Sequence, residues 1–99
     1  MPRLVVRKLA RAEIRAAFDW YLVRSPRAAR RFVDAVDAAI DEIEDEPERC
    51  PVVHGNLRRL LLPHFPYSIY YKDFPTVTSV VGVIHGRRHP DVWLERADR

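Results

Sequence analysis

Four side chains that can carry positive charge lie within five residues, directly after an apolar run with the composition of a buried strand. They are His85, Arg87, Arg88 and His89, in the stretch VVGVIHGRRHPDVWLER. Arginine offers a planar fork of donors that fits phosphate and carboxylate groups, and histidine, with a pKa of ~6.5, adds proton transfer. The stretch predicts a site for an acidic or phosphorylated partner at the end of a strand, with ordinary solubilising charge as the alternative.

Three more cations, Arg58, Arg59 and Lys72, lie on neighbouring predicted strands. Side chains alternate along a strand, so only one of the two arginines can join a cluster on a given face. Four aromatic residues lie between the cations and either stack on bases of RNA or occupy half-buried sheet positions: Tyr67, Tyr70, Tyr71 and Phe74. Trp93 either covers an edge of the core or anchors a partner peptide.

Metal and cofactor chemistry find little support in the sequence. Two guanidiniums separate His85 from His89, which disfavours a cation between them. The chain has no glycine-rich phosphate loop, no G-x-S-x-G and no H-E-x-x-H motif. We therefore predict neither a metal nor a cofactor.

Length and composition indicate one globular domain over residues 1–99, with 47% apolar residues and a net charge of +3. Residues 3–31 hold nine bases and two acids, whereas residues 34–48 hold eight acids and no base, so a polarised molecule is expected. The single cysteine, Cys50, rules out an intrachain disulfide, and no apolar run has the ~20 residues that span a bilayer. These features predict a cytoplasmic protein without a signal peptide or a membrane segment.

The hydrophobic periodicity predicts the elements that position these residues. A short strand at residues 3–6 precedes a helix whose apolar face runs from Ala10 to Leu22, and Ser25-Pro26 starts a second helix that ends at Pro47. A loop over residues 48–56 leads to strands at residues 57–62, 67–72 and 78–85, and residues 97–99 are expected to fray. The fold class is α+β, in the order β-α-α-β-β-β, with a two-helix hairpin packed on one face of a small antiparallel sheet.

The run LRRLLLPHFPYSIYYKDFPTVTSVVGVIHGRRHPDVW closely resembles the C-terminal half of the ParE/RelE superfamily of toxins from bacterial type II toxin-antitoxin modules. The resemblance lies in an Arg before an apolar strand, a Pro-Tyr-x-Ile-x-Tyr strand, and a third strand that ends in His-Gly-Arg-Arg before Pro and Trp. With the two amphipathic helices before it, the match covers nearly the whole chain.

The resemblance implies a toxin, with a role in plasmid stabilization, that is neutralised by an antitoxin whose extended C-terminal segment wraps around it. It leaves two targets open. ParE-like toxins inhibit DNA gyrase, whereas RelE-like toxins cleave mRNA in the ribosome, and a degenerate toxin that only binds its antitoxin is a third possibility. The RelE-like catalytic positions correspond to Arg59, His85 and Arg88, but no Tyr follows Tyr71 where that branch often has one, so the ParE-like branch is favoured. Nine residues are predicted to bind the target or the antitoxin: Arg58, Arg59, Tyr70, Lys72, His85, Arg87, Arg88, His89 and Trp93.

Overall fold

The computed structural model describes residues 3–98, and its strands and α-helices follow the predicted order with two additions. The additions are a short strand in the predicted loop and a helical turn near the C-terminus. The elements are β1 (Leu4–Val6), α1 (Lys8–Arg24), α2 (Pro26–Asp45), β2 (Val52–His54), β3 (Leu57–Leu61), β4 (Tyr67–Asp73), β5 (Thr78–His85) and α3 (Pro90–Leu94), with 3-10 turns at Pro47–Arg49 and Glu95–Asp98.

The two long helices form a hairpin whose turn is fixed by its sequence. Ser25 is extended, and its side-chain oxygen accepts a hydrogen bond of 3.1 Å from the backbone N–H of Ala28. Pro26 takes the first helical position, where a missing N–H costs nothing. The apolar stripe of α2 then buries Phe32, Val36 and Ile43 against the sheet, as the periodicity predicts.

The sheet has the strand order β1-β5-β4-β3-β2. The predicted antiparallel meander of β3, β4 and β5 is confirmed by their pairing. In contrast, β1 lies beside β5 in parallel, from Leu4 opposite Thr78 to Val6 opposite Val80. Parallel neighbours require a long connection, and the helices and other strands between β1 and β5 supply it.

Both faces of the sheet are covered, whereas the sequence predicted one covered face. The helix hairpin packs on the first face, where Ile69, Tyr71 and Val80 are buried. On the second face, Val92, Trp93 and Ala97 of the C-terminal segment pack against four buried residues, Leu57, Tyr70, Val81 and Ile84. The continuous β-branched run of β5 is therefore buried on both sides, as is typical of a strand between two layers.

The C-terminal segment is held by a buried ion pair, so the prediction that residues 97–99 fray is wrong for Ala97 and Asp98; Arg99 lies outside the described residues. Arg96 Nη2 lies 2.8 Å from Glu13 Oε2 of α1, and Arg96 Nη1 donates to the carbonyl oxygen of Val81 at 2.8 Å. Lys72 Nζ donates to the carbonyl oxygen of Ala97 at 2.6 Å. These contacts join the last turn of the chain to α1, β4 and β5.

The same ion pair caps the part of β5 that extends beyond β1. Since the β1 pairing ends at Val80, the outer edge of β5 would otherwise leave backbone groups unpaired. Glu13 Oε1 accepts the N–H of Val83 at 3.1 Å, and Arg96 covers the oxygen of Val81. A side chain at Gly82 would lie 2.8 Å from Arg96 Nη1, so glycine leaves room for the guanidinium.

We predict that Arg96→Ala lowers the free energy of unfolding by about 3 kcal/mol, because it leaves Glu13 half-buried without its partner and uncovers Val81. Urea titration followed by circular dichroism measures this loss. The matched control is Arg15→Ala, which removes an exposed ion pair to Asp19 and should cost less than about 1 kcal/mol. Equal losses in the two variants would contradict the structural role of Arg96.

Candidate functional site

The turn after β5 is built by histidine acceptors and leaves two arginines exposed. His85 Nδ1 accepts the N–H of Arg87 at 3.0 Å, and the His85 ring meets the Tyr67 ring edge-on with centroids 5.1 Å apart. His89 Nδ1 accepts the N–H of Asp91 at 3.2 Å and caps α3. Because both Nδ1 atoms accept hydrogen bonds, each neutral ring carries its proton on Nε2.

Arg87 and Arg88 are exposed in this turn, and within residues 3–98 neither forms an ion pair. Arg88 borders a cavity of about 190 Å³ between α1 and the end of β5, which Trp20, Tyr67 and His85 also line. Of the four residues in the predicted cationic cluster, His85 and Arg88 border the cavity beside α1, and their role in binding stays a prediction.

The two arginines of β3 differ in their surroundings. Arg58 Nη1 donates to the carbonyl oxygens of Glu48 at 3.1 Å and Cys50 at 2.6 Å, which holds the loop before β2. Arg59 is half-buried opposite Tyr70 on the second face of the sheet. The two side chains leave opposite faces, as alternation predicts.

Two of the predicted binding residues are enclosed by the C-terminal segment, to which a third, Trp93, itself belongs. Tyr70 is buried and stacks on Trp93, with ring centroids 5.6 Å apart and planes 12° from parallel. Lys72 is buried beneath Ala97. With this segment in place, the second face offers no open aromatic platform at Tyr70.

The candidate nuclease residues are not brought together. His85 lies opposite Tyr67, which packs on the first face, whereas Arg59 lies opposite Tyr70, which packs on the second. They are also two strands apart, about 10 Å across the sheet. One phosphate group would have to reach around the sheet to contact both side chains.

A groove lies between α2 and the outer edge of β3. It has a volume of about 600 Å³, and Ala35, Ala38 and Ala39 form its helical wall. The pairing with β2 covers Leu57 and Arg58, and one further bond joins Arg59 N to Pro51 O. Leu62 donates its N–H to Tyr67 of β4, so Leu61 directs its backbone groups to the outer edge by alternation, where no described strand lies beside it. The groove thus combines an apolar wall with a free strand edge.

Among residues 3–98, no three His, Cys, Asp or Glu side chains are grouped as a metal site would require. None of the helices in this part of the chain has the length and apolarity to cross a membrane.

The geometry defines a small α+β protein with one exposed groove beside β3 and one exposed cationic turn after β5. The chain belongs to the ParE toxin family of type II toxin-antitoxin systems, parDE, whose family model matches residues 4–90. A solved structure of the chromosomal ParDE TA system from P. aeruginosa has the same fold: the TM-score is 0.75 at 19% sequence identity, over 86% of this chain and 96% of that chain. No curated protein matches the sequence. The predicted resemblance and the predicted fold class are thereby confirmed.

Sequence reasoning missed several residues that shape the two surfaces. Trp20 is 51% exposed and lies outside the apolar stripe assigned to α1, a position that could have marked it as a surface aromatic. The pairing of Glu13 with Arg96 joins residues far apart in the sequence, and nothing local signals it. Ala38 is an exposed residue of α2 that lines the groove beside β3, a position that depends on how α2 packs on the sheet.

Tyr71 lies opposite Arg58 in the sheet, and its burial makes the free energy of unfolding depend on pH. Its hydroxyl donates to the carbonyl oxygen of Pro47 at 2.7 Å, and burial, aided by Cys50, raises the pKa of Tyr71 well above its usual range. Burial also raises the pKa of Tyr21 and of Tyr67. Above about pH 10 the unfolded chain loses these phenolic protons while the folded chain keeps them, so stability falls as pH rises.

We predict that Tyr71→Phe makes this alkaline loss shallower and lowers stability at neutral pH by about 1 kcal/mol, through loss of the hydrogen bond to Pro47. Urea midpoints between about pH 8 and pH 11 measure both effects. Ile69→Val, a buried change of similar cost that removes no titratable group, is the control and should leave the alkaline slope unchanged. An unchanged slope in Tyr71→Phe would show that other groups set it.

Proposed function

We propose that this protein is the toxin of a type II toxin-antitoxin module, that a cognate antitoxin binds and neutralises it in the cytoplasm, and that the free protein inhibits DNA gyrase. Membership of the ParE toxin family carries the proposal, because ParE-like toxins act on gyrase. In this proposal the protein acts by binding other proteins through its own surfaces, and it requires neither a cofactor nor a metal.

The groove beside β3 supports the antitoxin as its occupant. An extended segment that joins a free strand edge gains backbone hydrogen bonds, and apolar pockets beside the edge give specificity. Here Leu61 is 67% exposed at the edge, and the alanine wall of α2 lies next to it. An antitoxin whose extended C-terminal segment wraps the toxin has the form that fits this groove.

The arrangement of the cations favours gyrase over mRNA as the target. General acid-base cleavage requires its groups within hydrogen-bond reach of one reacting phosphate. Arg59 and His85 leave opposite faces of the sheet, and Tyr70, the tyrosine nearest Arg59, is buried against Trp93. Within residues 3–98 this separation supports gyrase over the ribosome as the target.

We predict that induced expression without antitoxin causes filamentation and a DNA-damage response while transcripts stay intact. Growth, cell shape and transcript integrity are followed together after induction. Arrest with cleaved ribosome-bound transcripts would contradict the gyrase proposal and return His85 to the position of a catalytic candidate.

The double variant Arg87→Ala/Arg88→Ala should weaken growth inhibition, since it removes two exposed cations beside the α1 cavity and breaks no described ion pair. Growth is compared at matched protein levels, which immunoblotting confirms. Full toxicity of a well-expressed double variant would count against a role for the β5 turn.

For the antitoxin groove, we predict that Ala38→Arg weakens binding of the cognate antitoxin by at least about tenfold, because the long side chain fills the groove. Isothermal titration with the purified antitoxin measures the loss. Ala12→Arg, also at an exposed helical alanine, is the matched control and should bind as the wild type does. If the two variants bind equally well, the antitoxin occupies another surface.

A further inference from the structure

The end of the helix hairpin is an exposed surface with large apolar side chains. Trp20 is 51% exposed and Val23 is 84% exposed, and both lie in the last turns of α1. Neither side chain belongs to the buried core that packs α1 on the sheet. An exposed Trp beside an exposed Val is typical of a protein interface.

Positive charge surrounds this apolar pair. Between Asp19 and Asp34 the chain has no acid, and four exposed arginines lie there, Arg24, Arg27, Arg30 and Arg31. Within residues 3–98 none of the four forms an ion pair. The C-terminus of α1 and the N-terminus of α2 meet at this end, so their opposite partial charges offset and the positive charge comes from the arginines.

Arg24 is held in place against Trp20. Its guanidinium carbon lies 3.7 Å from the centroid of the Trp20 ring, and its Nη1 donates to the carbonyl oxygen of Trp20 at 2.8 Å. Stacking fixes the plane of the guanidinium and spends only one of its five N–H groups on that oxygen. A carboxylate that reaches Arg24 therefore meets a side chain whose conformational entropy is already reduced.

The surface continues to the end of β5. Trp20 lines the cavity of about 190 Å³ that Tyr67, His85 and Arg88 also border. Among the residues that line this cavity, the one carboxylate is that of Glu13. It forms an ion pair with Arg96 and accepts the N–H of Val83. We define the hairpin-tip surface as Trp20, Val23, Arg24, Arg27 and Arg88.

We infer that the hairpin-tip surface binds the target of the free toxin, and that the target presents carboxylates around an apolar pocket that takes up Trp20. Charge complementarity selects an acidic partner, and exposed Trp20 and Val23 select a protein rather than a nucleic acid, whose backbone offers nothing to an aliphatic patch. Trp and Arg are also the residues that most often dominate binding energy. The inference rests on the proposed gyrase target and places its contact away from the groove beside β3.

Purified DNA gyrase titrated with the labelled toxin tests the inference. We expect Trp20→Ala and Arg24→Glu each to weaken binding by about 30-fold, the loss typical of one dominant interface residue. Leu9→Ala and Lys8→Glu make matched apolar and charge changes at the opposite end of α1 and should bind as the wild type does. Val23→Glu places a charge at an almost fully exposed site, so it tests the same surface without disturbing the fold.

Each outcome is decisive. If the wild type binds gyrase and all three tip variants bind equally well, the hairpin-tip surface is not the contact and the gyrase proposal stands. If the wild type does not bind gyrase, the proposed function fails and the inference falls with it. Tight binding of a DNA duplex alone, lost in the same variants, would overturn the assignment of a protein partner.

Discussion

The ion pair between Glu13 and Arg96 determines which surfaces of this protein remain open. It joins the first helix to the last turn, and through the oxygen of Val81 and the N–H of Val83 it also closes the free edge of β5. Placing two charges among apolar neighbours is costly unless each finds several hydrogen bonds, and here the backbone of β5 supplies them. The C-terminal segment then lies across the second face of the sheet and buries Tyr70 and Lys72.

With both faces of the sheet covered, two exposed regions of the described chain are the candidates for partner binding. The first is the edge of β3, where β2 does not extend far enough to pair with Leu61 and α2 presents small side chains. The second is the hairpin tip with the turn after β5, where arginines surround an exposed Trp20. Under the proposed function the antitoxin and the target bind at separate regions, one in the groove beside β3 and the other at the hairpin tip.

Local patterns in the sequence predicted the elements well, because helix caps and strand periodicity are local effects. Ser25-Pro26 set the hairpin turn, and the β-branched run of residues 78–85 set β5. The parallel pairing of β1 and the return of Arg96 to Glu13 depend on contacts between residues distant in the sequence, which periodicity does not report. Of the two alternatives left open for Tyr70, base stacking or a buried sheet position, the structure has the buried one, because Trp93 folds back and stacks on it. The residues from His85 to His89 form a surface turn, but Arg59 of β3 leaves the opposite face of the sheet from His85.

Whether the free protein acts on gyrase is tested most directly by incubating the purified toxin with gyrase, supercoiled plasmid and ATP, and then denaturing the enzyme. A toxin that inhibits gyrase by trapping its cleaved intermediate gives linear plasmid in proportion to toxin, and antitoxin added in advance abolishes it. Plasmid that stays supercoiled or is relaxed and resealed as in the toxin-free reaction, at toxin concentrations well above those that arrest growth, would contradict gyrase as the target.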